Sequence, residues 1–140
     1  MVELLIQKIA QMIKLKDVLN EIISQSELDS IESYLDKLFA AIGIDVEFTR
    51  HFLDRVNDVR NRKQIEPEEL EDLFAKTYED YGQEITKLGS NAEAVIVDME
   101  SNINVPFVLE YNPSTKKLEL ISKTVMRKQN FQTSNKKLTV

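Results

Sequence analysis

The chain has 140 residues, enough for one domain with a sizeable apolar core, and it contains no cysteine, a single histidine and three glycines. These counts exclude disulfide scaffolds, thiolate metal sites, a cysteine nucleophile and a glycine-rich phosphate loop. The formal charge of −6 argues against a general nucleic-acid binder, yet residues 101–140 carry seven basic side chains against Glu110 and Glu119, a balance of +5 that leaves −11 for residues 1–100. That split points either to an anionic partner at the C-terminal part or to contact between acidic and basic parts of the same chain. The apolar runs fall far short of the roughly 20 residues that span a bilayer, and the N-terminus lacks a basic segment followed by an apolar one. The expectation is therefore a cytoplasmic protein with no membrane partner.

Residues 2–24 place Leu4, Leu5, Ile9, Met12, Ile13, Val18, Leu19, Ile22 and Ile23 mostly three or four apart, as an amphipathic helix or two short ones do. Ser26, with Asp29 three residues on, opens a second helical stripe of Leu28, Ile31, Leu35, Leu38, Phe39 and Ile42, which Gly43 stops. The two are expected to form a hairpin over residues 1–43 that packs on the rest, on a second copy of the chain, or on another protein. Residues 44–48 alternate apolar and acidic and read as a short strand. Thr49 can cap the next helix, which carries His51 and Arg55. Residues 60–64 form a basic connection. Pro67 with Glu68 and Glu69 then suits the first turn of a helix expected to run to Gly82.

After Gly89 the period changes. Residues 94–97, 105–109 and 118–121 are short apolar runs, and residues 112–115 join the last two as an antiparallel hairpin. The third strand is expected to continue through Ser122, Lys123, Thr124 and Val125. The tail has no clear period, and residues 132–140 are expected to be a loosely held basic end to a domain spanning residues 44–131.

Chemistry concentrates in two segments. His51 and Arg55 are four apart and share a helix face, which pairs a proton-transfer group with a fixed cation; alternatively His51 caps a helix end and the arginines are solvated. Residues 122–128 hold Lys123, Thr124, Arg127 and Lys128; alternatively these lysines discourage strand-edge pairing. If the segments face each other, they supply the proton acceptor, cations and proton donor that metal-free RNA cleavage needs. Metal ligation would rest on carboxylates such as Asp98 and Glu100, and no metal or cofactor is expected.

The order of these pieces resembles the barnase/colicin/RelE-type ribonuclease fold, particularly its RelE/ParE-like and BrnT-like toxin branch. The matching run is Thr49-Arg50-His51-Phe52-Leu53-Asp54-Arg55, followed by Arg60, Ile65, Pro67-Glu68-Glu69-Leu70, and a terminal strand with Thr124 inside Lys123-Thr124-Val125. The C-terminal part also looks like a protein of tailed phages that infect cyanobacteria, on Asn104-Val105-Pro106-Phe107 and Lys123-Thr124-Val125-Met126. The resemblance spans about residues 44–131. It implies an α+β fold with a small antiparallel sheet and a metal-independent endoribonuclease-like protein acting on RNA; the N-terminal helices lie outside its span and are expected to pack on or beside that sheet. In that reading His51 is the general acid/base, Arg55 and Arg60 clamp phosphate, and Lys123 and Lys128 are transition-state cations. Thr124 hydrogen-bonds the substrate, and Arg62 and Arg127 join the binding surface. The same fold also serves binding without catalysis, as a phage accessory or virion-associated protein would use it.

Overall fold

The computed structural model describes residues 2–8 and 22–140. Residues 2–8 are helical, with Leu4, Leu5 and Ile6 exposed. The remainder of the expected first helix, and the hairpin it would make, lies outside the described residues. From there the elements are helix α1 (Gln25–Phe39), strand β1 (Ile44–Phe48), helix α2 (Arg50–Val56) and helix α3 (Pro67–Leu88), then strands β2 (Glu93–Val97), β3 (Ile103–Asn112), β4 (Lys117–Ser122), β5 (Met126–Arg127) and β6 (Lys136–Thr139). The chain is thus α+β. No described helix is long and apolar enough to cross a membrane.

Local chemistry explains the helix limits. At the start of α1 the Ser24 hydroxyl accepts the Glu27 N–H at 3.1 Å and the Glu27 carboxylate accepts the Ser24 N–H at 3.3 Å. This reciprocal cap sits two residues before the expected one, because a glutamate reaches back to the cap where the shorter Asp29 side chain does not. Instead Asp29 accepts from the Gln25 amide at 2.8 Å. Gly43 ends the following turn at φ 72°, as expected. Pro67 opens α3, but the helix does not stop at Gly82. A Cβ there would meet Ile42 Cδ1 at 3.5 Å, an ordinary van der Waals contact, so the position packs against the Ala40–Ile42 turn as one more residue of a continuous helix. Ile85 is fully buried one turn later and holds the extension in place.

The six-stranded sheet has the order β1-β4-β3-β2-β6, with β5 beside β3. The β3–β4 hairpin is antiparallel, as its short turn requires. The sheet as a whole is mixed rather than antiparallel: β1 runs parallel to β4 and β6 parallel to β2. Both parallel strands are edge strands that reach the sheet through long connections, which, unlike tight turns, leave direction free. The tail is not loosely held. Its residues 136–139 form β6, and Leu138 is fully buried. One buried residue in a polar stretch leaves no period to read. Leu35 and Phe39 of α1, Phe52 of α2, Phe74 of α3, Ile96 of β2 and Leu138 share one core, so the packing has no boundary at residue 43 or 131.

Two details fix where α2 meets the sheet. Strand β4 stops at Ser122, not Val125. Continuing its register would set Lys123 opposite Pro106, which has no N–H to offer the ladder. The Ser122 hydroxyl lies 2.7 Å from the Pro106 carbonyl and 2.9 Å from that of Thr124, and pairing resumes at Met126 opposite Asn104. Residues 123–125 therefore bulge out of the sheet. At the other end, the Thr49 N–H donates to the Ser122 carbonyl at 3.1 Å, which sets the start of α2 beside this bulge.

Candidate functional site

Thr49 caps α2 as expected, its hydroxyl accepting the Phe52 N–H at 3.4 Å. Phe52 and Val56 turn into the core, which leaves His51 exposed and Arg55 half-buried on the outer face. Arg55 Nε donates to His51 Nε2 at 3.1 Å, so this ring nitrogen is the unprotonated one. The helix ends at Asn57, whose side chain brackets Ile23 by accepting its N–H at 2.9 Å and donating to its carbonyl at 2.8 Å.

Asp58 then begins a 3-10 turn, Val59–Asn61, by accepting the Arg60 N–H at 2.8 Å. Asn61 is buried. Its amide donates to the carbonyls of Arg55 and Val56, while its oxygen accepts the Arg127 N–H at 3.0 Å. This one side chain ties α2 to β5. It also fixes a rare turn: Arg62 has φ 65° and ψ −51°, and the Lys63 N–H returns to the Asn61 carbonyl at 2.7 Å. That is the strained form of γ-turn, with a bulky residue at positive φ.

Between residues 55–63 and 124–129 lies an open cleft of about 820 Å³. Six basic side chains line it, Arg55, Arg60, Arg62, Lys63, Arg127 and Lys128, against the single carboxylate of Asp58. Thr124 stands on the opposite wall. The structure thus brings Arg55, Arg60, Arg62, Thr124, Arg127 and Lys128 together across 60 or more residues of sequence. Two expected members stay outside the walls. His51 touches the cleft only through Arg55, and Lys123 is exposed at the start of the bulge.

The cations are not equally free. Arg127 Nε donates to the Lys63 carbonyl at 3.2 Å, Nη1 to Glu69 at 3.0 Å and to the Ser101 carbonyl at 2.8 Å, and Nη2 to Glu69 at 2.7 Å and to the Gln64 carbonyl at 3.0 Å. All five N–H groups of the guanidinium are used, so Arg127 shapes the cleft floor and has none left for a substrate. Arg60 forks onto Asp58, with Nη2 2.8 Å from Oδ2 and Nε 3.1 Å from Oδ1. These bonds, with that from the Arg60 N–H, hold the Asp58 carboxyl down at about 2. Arg62, Lys63 and Lys128 are exposed, and their side chains make no hydrogen bond or ion pair among the described residues.

Asp58 and Asn61 do not stand out in the sequence. An Asp two residues before Arg60 has the spacing at which a carboxylate bonds the backbone N–H two positions on, and that spacing is the available signal. Nothing local marks Asn61 as buried. No family model, curated protein or solved structure matches the chain.

Proposed function

We propose that the protein binds the phosphodiester backbone of RNA in this cleft and acts on it as a metal-independent endoribonuclease of the RelE-like kind. The observation that carries the reading is the convergence of six basic side chains and one carboxylate on a single cleft in a chain of net charge −6. A net acidic protein that gathers six cations in one concavity favours a polyanion there over the rest of its surface. Arg62, Lys63 and Lys128 meet phosphates, Arg55 reaches the scissile one, and Thr124 hydrogen-bonds a sugar or phosphate oxygen.

In the chemical step His51 Nε2 takes the proton of the ribose 2′-OH when Arg55 turns from the ring to the phosphate. The 2′-oxygen then bonds to phosphorus and the bond to the 5′-oxygen breaks, leaving a cyclic phosphate and a 5′-hydroxyl. The imidazolium is the proton source for that leaving oxygen. Arg55 and Lys128 stabilise the charge that builds on the phosphorane oxygens. The test is incubation of purified protein with diverse single-stranded RNAs at neutral pH with EDTA. Cleavage is expected, lowered about a hundredfold or more by His51→Ala. Lys128→Ala is expected to slow it more than Lys123→Ala, since only Lys128 lines the cleft.

A second reading is binding without cleavage. It is favoured by the position of His51 outside the cleft walls. RNA that binds but stays intact would decide for it.

A further inference from the structure

Asp58 is the one carboxylate among the six cations of the cleft, and its surroundings give it a definite role there. Arg60 presents Nε and Nη2 to both carboxylate oxygens, at 3.1, 3.2 and 2.8 Å. This two-pronged edge is the one a guanidinium offers to two oxygens of a phosphate. Arg55 Nη1 stands 3.7 Å from the same carboxylate. Asp58 therefore occupies, from within the chain, a place between two arginines that a backbone phosphate would take.

The two partners differ in how firmly they are held. The Asp58 carboxylate is 23% exposed and pinned by the Arg60 backbone N–H at 2.8 Å, while its carbonyl accepts the Asn61 N–H at 3.1 Å. The Arg60 side chain is 73% exposed, and Asp58 is its only side-chain partner among the described residues. The carboxylate stays and the arginine is free to leave. An exposed ion pair of this sort is weak, so a phosphate with further contacts to Arg62 and Lys128 can displace it.

We propose that Asp58 is a built-in competitor for phosphate: it holds Arg60, and in part Arg55, on a mimic of the ligand until a polyanion long enough to engage the other cations takes their place. This rests on the reading of the cleft as an RNA site. The carboxyl sits at about 2, so it remains ionised across the neutral range and the competition is set by the ligand, not by pH. The consequence is discrimination. Short or singly charged anions compete poorly with a tethered carboxylate, whereas an RNA strand wins through its several phosphates.

The experiment measures the affinity of a fluorescent single-stranded oligoribonucleotide of about 12 nucleotides by anisotropy over a salt series, for the full chain and four variants. Asp58→Asn keeps a side chain that can cap the turn but removes the charge. It is expected to bind about tenfold more tightly at low salt, with a salt slope steeper by about one phosphate contact. Asp54→Asn removes an exposed carboxylate of α2 outside the cleft and is expected to change affinity less than about twofold, which separates local competition from a general charge effect. Arg60→Ala is expected to weaken binding in both backgrounds, but less in the parent, where Asp58 holds the guanidinium, than in the Asp58→Asn protein, where it should abolish the gain. Thermal melting shows whether Asp58→Asn keeps the fold, with Asp58→Ser as a second capping replacement if it does not. The proposal is overturned if the full chain binds RNA and neither replacement of Asp58 binds more tightly, or if Arg60→Ala costs the same with and without Asp58. Failure of all five proteins to bind RNA would overturn the RNA reading itself, and this proposal with it.

Discussion

Arg127 and Glu69 form a two-pronged ion pair, at 2.7 and 3.0 Å, that joins the short strand β5 to the first turn of α3 behind the cleft. The pair is largely shielded, with side-chain exposures of 12% and 23%. Removing Arg127 strands the Glu69 charge and three carbonyl acceptors. Arg127→Ala is expected to lower unfolding free energy by about 3 kcal/mol, measured by urea denaturation, and to weaken RNA binding only through loss of the cleft floor.

The same pair sets an acid response. Burial acts to raise the Glu69 carboxyl, but hydrogen bonds from Arg127 and the Glu66 N–H, with the charges of Arg127 and Lys63, hold it below the usual value of 4.5. A carboxyl lowered in the folded state contributes stability that is present above its unfolded pKa and is lost as pH falls through the folded value. Stability measured from pH 6 downward is therefore expected to fall below about pH 4.5, and Glu69→Gln should flatten that part of the profile while lowering stability at neutral pH.

At the β1 edge of the sheet the sign reverses. The outward N–H groups of β1, at Val46 and Phe48, donate to Asp36 at 2.7 Å and Glu32 at 3.1 Å, two carboxylates one turn apart on α1. They stand where a further strand would pair and close this edge. Burial raises both carboxyls, more than these hydrogen bonds lower them, and neighbouring acids add to the rise. Between the unfolded and folded values the native state binds more protons, so this contribution to stability falls as pH rises through that window. Asp36→Asn, which keeps an acceptor for Val46, is expected to stabilise the protein at pH 7 with a gain that vanishes below about pH 4. Asp36→Leu should destabilise by about 1–3 kcal/mol, because it leaves the Val46 N–H without a partner.

Arg62 offers a test of strain. Its φ of 65° with ψ of −51° suits glycine and costs a bulky residue about 1–3 kcal/mol. At an ordinary position glycine is less stable than alanine by roughly 0.5–1 kcal/mol. Here Arg62→Gly is expected to melt at or above Arg62→Ala, while both lose RNA affinity equally. The usual order, with alanine the more stable, would show that the turn is relaxed.

The fold was legible where burial leaves a period. The stripe Leu28, Ile31, Leu35 and Phe39 and the runs of β2, β3 and β4 follow directly from alternation and spacing. The strand β6 was not legible, since Leu138 alone is buried in it, and neither was its parallel partnership with β2, which depends on where a long connection returns. In the site, residue type identified the cations but not their availability. Arg62 and Arg127 look alike in sequence, yet one is exposed and the other has every N–H engaged by groups from residues 63, 64, 69 and 101. Such satisfaction is a property of long-range packing. A helix sets His51 beside Arg55 because residues four apart share a face, whereas the wall that faces them depends on where the chain rejoins the sheet at Met126, which no local pattern reveals.

Whether RNA lies in the cleft is tested most directly by titrating the isotope-labelled protein with a short single-stranded oligoribonucleotide and following backbone and arginine side-chain N–H signals by NMR. Binding in the cleft predicts that the largest shifts fall on Asn61, Arg62, Lys63, Thr124 and Lys128 and on the Arg60 Nε–H as it leaves Asp58. Shifts centred instead on β6 or the acidic β1 edge, or none at saturating RNA, would contradict it.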